Sequence, residues 1–157
     1  MAASDHPGAQ DAVPATTWDG LPVSAEPPFG ATIVVFSRTI QGATFLLLHR
    51  AHHGAAYEGD WAWTPPAGAR FPGELIEECA QRELLEETNL RLAAQAMESP
   101  GESWALYYAE ASANDRVELL DSEHDRFEWV PLEVALQRCL PEVVAQGLER
   151  VATFLSL

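Results

Sequence analysis

The chain contains no lysine: its nine basic residues are all arginine, set against 24 acidic ones, for a formal charge of −15 over 157 residues. Free nucleic acid and anionic membrane surfaces are polyanions that bind a basic face, so this balance argues against both as partners. A small polyphosphate is compatible with such a chain if a metal ion masks its charge, and direct phosphate contacts must then come from an Arg fork, a backbone amide or the metal. Cysteine is nearly absent too. Cys79 and Cys139 form no CxxC and have no paired histidine spacing, which argues against a disulfide framework and against zinc, and fits reduced thiols in a cytoplasm. The first 28 residues hold no Lys or Arg and no apolar run approaches membrane-spanning length, so neither a secretory n-region nor a span is expected, and the reading is a cytoplasmic protein. What remains is a chain with 47% hydrophobic and 21% charged residues, long enough for one globular domain with a real core.

The most informative stretch is Gly68 to Leu90, GARFPGELIEECAQRELLEETNL. Pro72-Gly73 is a loop signal, and Glu74 to Glu87 is free of both breakers, which predicts one helix entered just after Gly73. Glu83 then lies three residues before Glu86 and four before Glu87, so the three carboxylates share a face. Like charges at this spacing repel, and a solvated helix would ordinarily interleave lysines. A second stripe, Ile76, Ala80 and Leu84, is the natural core-facing side and places the acids at the rim of a packed face. Fixed carboxylates on a half-buried element suit hard divalent cations.

Around this stretch the chain alternates irregularly between strands and helices. Residues 1–28 are rich in Ala, Pro, Ser, Thr, Asp and Gly without periodicity and read as a flexible N-terminal arm preceding a domain at 29–157. Its exceptions, Trp18 and Leu21, either pack on the domain, pack on a second copy in a homodimer, or stand in solvent. Ala31–Phe36 and Ala43–His49 are predicted strands joined by a turn at Gln41-Gly42. Arg50 to Trp63 has the composition of a binding loop ending in a short strand, and Thr64-Pro65-Pro66-Ala67-Gly68 leads stiffly into the acidic helix. Arg91–Met97 reads as a strand or irregular edge, Ser99-Pro100-Gly101 as a turn, Ser103–Ala111 as a strand and residues 114–125 as a charged loop. Phe127–Val130 is a short strand, Leu132–Leu140 a helix, and Pro141 opens a last helix to about Phe154. The expected architecture is an α/β/α sandwich around a central mixed β-sheet.

The stretch resembles the signature of the Nudix hydrolases: Gly68, five residues, Glu74, seven residues, Arg82-Glu83, aliphatic Leu84, one residue, Glu86-Glu87, one residue, Asn89 in place of the usual Gly, and Leu90. The departure is mild, because that Gly ends the helix in a left-handed conformation and Asn is the usual second choice. The resemblance implies the same sandwich, bound Mg2+ or Mn2+, and metal-dependent hydrolysis of a pyrophosphate bond in a nucleoside diphosphate derivative: a nucleoside triphosphate, a sugar nucleotide or a dinucleoside polyphosphate. It implies Glu86 and Glu87 as metal ligands, Glu83 as ligand or general base, and the Ala67 carbonyl as a further ligand. Arg82 is expected to orient one of the glutamates. Glu74 is expected to stabilise the helix terminus, or to act as an outer ligand. Relatives often add a carboxylate from a later loop, for which Glu123 is the first candidate and His124 the second, against an ordinary acidic loop. Trp61 to Gly68 is similar to the approach segment of the diadenosine-tetraphosphate branch, with Ala67 replacing its Lys and Ala69 its His. Arg50, Tyr57, Trp61 and Trp63 are the candidates for substrate contact; these aromatics and Phe71 either stack on a base or belong to the core. The competing reading is a non-catalytic Nudix-like sensor, which would ordinarily have lost acids that this chain keeps.

Overall fold

The computed structural model describes residues 16–97 and 103–157, so the first fifteen residues of the expected arm and the predicted turn at Ser99-Pro100-Gly101 lie outside the described residues. Seven strands form one sheet: β1 (Gly30–Thr39), β2 (Gly42–Arg50), β3 (Trp63–Thr64), β4 (Ala67–Ala69), β5 (Gln95–Ala96), β6 (Ala105–Ala111) and β7 (His124–Pro131). Three helices complete the described residues: α1 (Ile76–Thr88), α2 (Leu132–Arg138) and α3 (Glu142–Leu155). The sheet is mixed, since β1 pairs in parallel with β6 and antiparallel with β2 and β4.

The layers follow from side-chain alternation with period two. Ile33 and Val35 of β1, with Leu46 and Leu48 of β2, face Cys79, Ala80 and Leu84 of α1. Val34, Phe36, Phe45 and Leu47 point the other way, to Ala135, Leu148 and Val151 of α2 and α3. Both faces are covered, so both strands read as continuous apolar runs, and the sandwich is the expected one. Cys79 and Cys139 are free and buried, and burial pushes both thiols up to about 12, leaving them inert. No helix among the described residues is long and apolar enough to cross a membrane.

One irregularity positions the site. β1 and β2 pair only from Phe36↔Phe45 to their shared turn. Beyond it β1 turns to β4 and β2 to β3, and the two short strands with Pro65-Pro66 between them fill the opening. This delivers Ala67 and Gly68 beside α1.

Several expected boundaries move. α1 starts at Ile76 rather than Glu74, because Glu74 completes the preceding turn: its N–H donates to the Phe71 carbonyl and its side chain accepts the Phe71 N–H. β7 begins at His124, three residues before Phe127; it pairs with β2 from Thr44↔Pro131 to Arg50↔His124, which an acidic composition hid. The Arg91–Met97 edge keeps only the two residues of β5, and α2 ends at Arg138. The expected arm is anchored over its described half: the Ser24 N–H donates to the Arg70 carbonyl at 2.7 Å, and the Arg70 guanidinium donates to the carbonyls of Glu26 and Pro28, each at 2.7 Å.

Candidate active site

Arg82 is the hub of the acid row. Its guanidinium forks onto both carboxylate oxygens of Glu74 at 2.7 and 3.0 Å, reaches Glu83 at 3.0 Å and Glu86 at 3.2 Å, and donates to the Ala69 carbonyl at 2.9 Å. The Phe71 ring covers its outer face at 4.0 Å. A planar fork with five donors can hold three carboxylates at once, where a lysine could not. Glu74 is held below its ordinary value because the bonds from Arg82 and from the Phe71 N–H outweigh the burial that opposes them.

Glu83 and Glu87 are buried on the same face of α1, and Glu86 stands half exposed between them. Glu87 accepts the Ala67 N–H at 3.0 Å, which ties the end of the acid row to β4. Glu83 lies flat on Gly68, where any Cβ would meet its carboxyl carbon at 2.0 Å; this close approach is the physical reason for glycine at the head of the signature. From the opposite side of the sheet's open end come Glu123, in the bend before β7, and His124, its first residue. Ligand atoms of Glu87, Glu123 and His124 lie within 4.8 Å of one another, Glu123 shares a hydrogen bond with Glu87, and Arg50 stands 4.0 Å from Glu123.

These groups repel in the absence of a cation. Burial, joined by the neighbouring Glu86 and Glu123 and opposed by Arg82, pushes Glu83 up to about 8. Burial and the charges of Glu83 and Glu123 push Glu87 well above its ordinary value. Burial, with Asp121 nearby and Arg50 opposing, raises Glu123 to about 7. His124 is driven down to about 3 by burial and by Arg50, so it is neutral, and its buried Nδ1 meets no hydrogen-bond partner. A group of carboxylates that resist ionisation, beside a neutral imidazole with an unsatisfied nitrogen, fits a divalent cation.

Most of these groups border one cavity of about 370 Å³. Arg50, Ala67, Arg82, Glu83, Glu86, Glu87 and Glu123 line it, so the structure brings the expected catalytic and metal-binding candidates together. It does not bring the expected aromatic contacts. Trp63 is 2% exposed and packs in the core layer against α2 and α3, with its Nε1–H on Glu58 and its ring edge against His49. Tyr57 packs on the same layer, its hydroxyl donating to the Asp60 carbonyl, and the Trp61 N–H is engaged by the Leu140 carbonyl. None of Tyr57, Trp61 and Trp63 lines this cavity, and the rings of Tyr57 and Trp63 pack on the core layer. The cavity's aromatic side is instead Trp18, Phe29, Phe71 and Trp104. Only their ring content could have flagged Phe29 and Trp104, whereas Trp18 stood out as a large apolar residue in a polar segment.

A mixed sheet lies between helices, with an Arg-organised carboxylate row facing a further acid across an open cleft. The NUDIX domain model matches residues 27–151, and the chain belongs to the NUDIX family; it is a Nudix-type pyrophosphohydrolase. Among solved structures, a Caenorhabditis elegans Ap4A hydrolase in a binary complex is 24% identical, with a TM-score of 0.65 over 81% of this chain and 96% of that one. The Escherichia coli dihydroneopterin triphosphate pyrophosphohydrolase is 15% identical, with a TM-score of 0.63 over 81% and 96%. A MutT protein from Methanosarcina mazei is 27% identical, with a TM-score of 0.53 over 81% and 95%. No curated protein matches the chain by sequence.

Proposed function

We propose that the protein hydrolyses a pyrophosphate bond within a nucleoside diphosphate derivative presented as its magnesium or manganese complex. The observation that carries this reading is the convergence of Arg82, Glu83, Glu86 and Glu87 of α1 with Ala67 of β4 and Glu123, just before β7, on one cavity. Glu86, Glu87 and the Ala67 carbonyl would hold the cation from one side, and Glu123 with His124 from the other. When bound, a divalent cation neutralises charge on the phosphate oxygens and lowers the pKa of a water. Arg82 keeps the row in register, and Glu83, pinned by Arg82 on one oxygen, is placed to accept the proton of the attacking water. Among the described residues Arg50 is the other arginine on this cavity, and its nearness to Glu123 supports a role in meeting phosphate.

The net charge of −15 supports the metal complex as the true substrate, since an unmasked polyphosphate meets repulsion on approach. The retained acids oppose a non-catalytic sensor. The C. elegans and E. coli enzymes act on different phosphorylated compounds, and the replacement of the approach-segment Lys by Ala67 weighs against a site specialised for dinucleoside polyphosphates. The test is phosphate release from nucleoside triphosphates, sugar nucleotides and dinucleoside polyphosphates, with and without Mg2+, with product identification. Cleavage inside the pyrophosphate that vanishes with chelator is expected; chelator-insensitive cleavage, or none across the panel, would overturn the reading.

A further inference from the structure

We infer that the hairpin at residues 16–22 is the base-recognition wall of the site, with Trp18 stacking on the aromatic base of a substrate whose diphosphate lies against Glu86 and Glu87. This rests on the proposed function for the position of the diphosphate.

The cavity has two unlike walls. One is the acid row of α1, and the other carries Trp18, Leu21 and Phe29. Trp18 is 56% exposed and Leu21 44%, and neither joins either hydrophobic cluster, so packing within the described residues does not account for two large apolar side chains here. Two of the other rings on the cavity are already committed, and Phe29 is partly buried. The Phe71 face is covered by the Arg82 guanidinium, and the Trp104 indole is tied to Thr32 at 3.0 Å while its ring lies against Gly30, where any added Cβ would meet it at 2.4 Å. Trp18 is the exposed one of the four.

The hairpin is built rather than incidental. Thr16 and Pro22 form a β-bridge, the Thr17 N–H donates to the Leu21 carbonyl at 2.7 Å, and Gly20 turns the tip with φ of 88°. The same Arg70 that holds Glu26 and Pro28 also donates to the Glu74 carbonyl at 2.7 Å, and Glu74 carries the fork of Arg82. The segment just past the hairpin, Ser24 to Pro28, is thereby tied to the acid row, and the hairpin leads directly into it, which suits reading a base and a diphosphate together. Stacking on an indole needs a planar π-face, so the wall accepts purine or pyrimidine and rejects a ligand with no ring.

The test measures binding without turnover, by titration calorimetry on the full chain, using the magnesium complexes of α,β-methylene-ADP and of base-free methylenediphosphonate. Wild type is expected to prefer the nucleotide. Trp18→Ala should weaken nucleotide binding about tenfold while leaving the base-free probe unchanged, and Trp18→Phe should restore most of the loss. Three results would overturn the inference: no nucleotide preference in wild type, wild-type affinity in Trp18→Ala, or equal weakening of both probes, which would make the hairpin a structural prop. Because no bond is cleaved, a preserved contrast alongside a failed substrate panel would remove the proposed function and leave the base wall standing.

Discussion

Gly68→Ala adds one methyl group at a position with no positive φ, so the backbone accepts it and only the side-chain clash matters. The new Cβ would sit 2.0 Å from the Glu83 carboxyl carbon and from one of its oxygens, where ordinary contact begins at 3.4 Å. Glu83 must then shift by about 1.4 Å, the gap between these two distances, and it is held by Arg82 and buried among other acids. Displacing a reacting group by about 1 Å can cost about a hundredfold in rate. A crowded core typically costs about 1–3 kcal/mol, less than the stability of most domains. The expected result is a folded protein with kcat down by about a hundredfold and a modest fall in Tm, followed by turnover of a nucleoside diphosphate derivative in saturating Mg2+ and by circular dichroism. Wild-type kcat in a folded variant would refute the assignment of Glu83 to the reacting groups.

Other perturbations follow from the same geometry. Glu83 and Glu123 have folded values raised above the ordinary 4.5, to about 8 and about 7, so the metal-free folded state binds more protons than the unfolded chain in that window. Stability in chelator should therefore be greatest near pH 5 and fall as pH rises to 8, with Mg2+ reversing the loss; a melting temperature in chelator that climbs over this range would contradict the buried acid cluster. Asn89→Gly removes the Cβ from a residue at φ 60°, but also removes the bond from its side-chain amide to Glu118 at 2.9 Å, so the stability change by urea titration should stay below about 1 kcal/mol in either direction. His124→Asn should weaken Mn2+ or Co2+ binding more than Mg2+ binding in calorimetry, because imidazole favours the softer ions; equal changes would place His124 outside the coordination shell.

The legible part of this protein was whatever local chemistry dictates. Continuous apolar runs in β1 and β2 required cover on both faces, the spacing of Glu83, Glu86 and Glu87 required one helix face, and Asn89 required a left-handed cap, which it takes. Contacts across long sequence separations were less legible. The approach of Glu123 and His124 to Glu87 depends on β7 pairing along β2 as far as Arg50, and no local signal announces such a register. The aromatics show the same limit: Trp61 and Trp63 stand next to the signature in sequence, yet Trp63 packs in the core, while Trp18, fifty residues before Gly68, lines the cavity.

The central claim is that the acid row holds a catalytic cation, and Glu87→Gln tests it most directly. The amide keeps the shape and can still accept the Ala67 N–H, so the fold should survive while one negative charge is lost. The measurement is Mn2+ affinity by electron paramagnetic resonance together with kcat on the same preparation. Weaker Mn2+ binding with kcat reduced on the order of a hundredfold or more is the predicted result. Wild-type Mn2+ affinity and turnover in a folded Glu87→Gln protein would contradict the account.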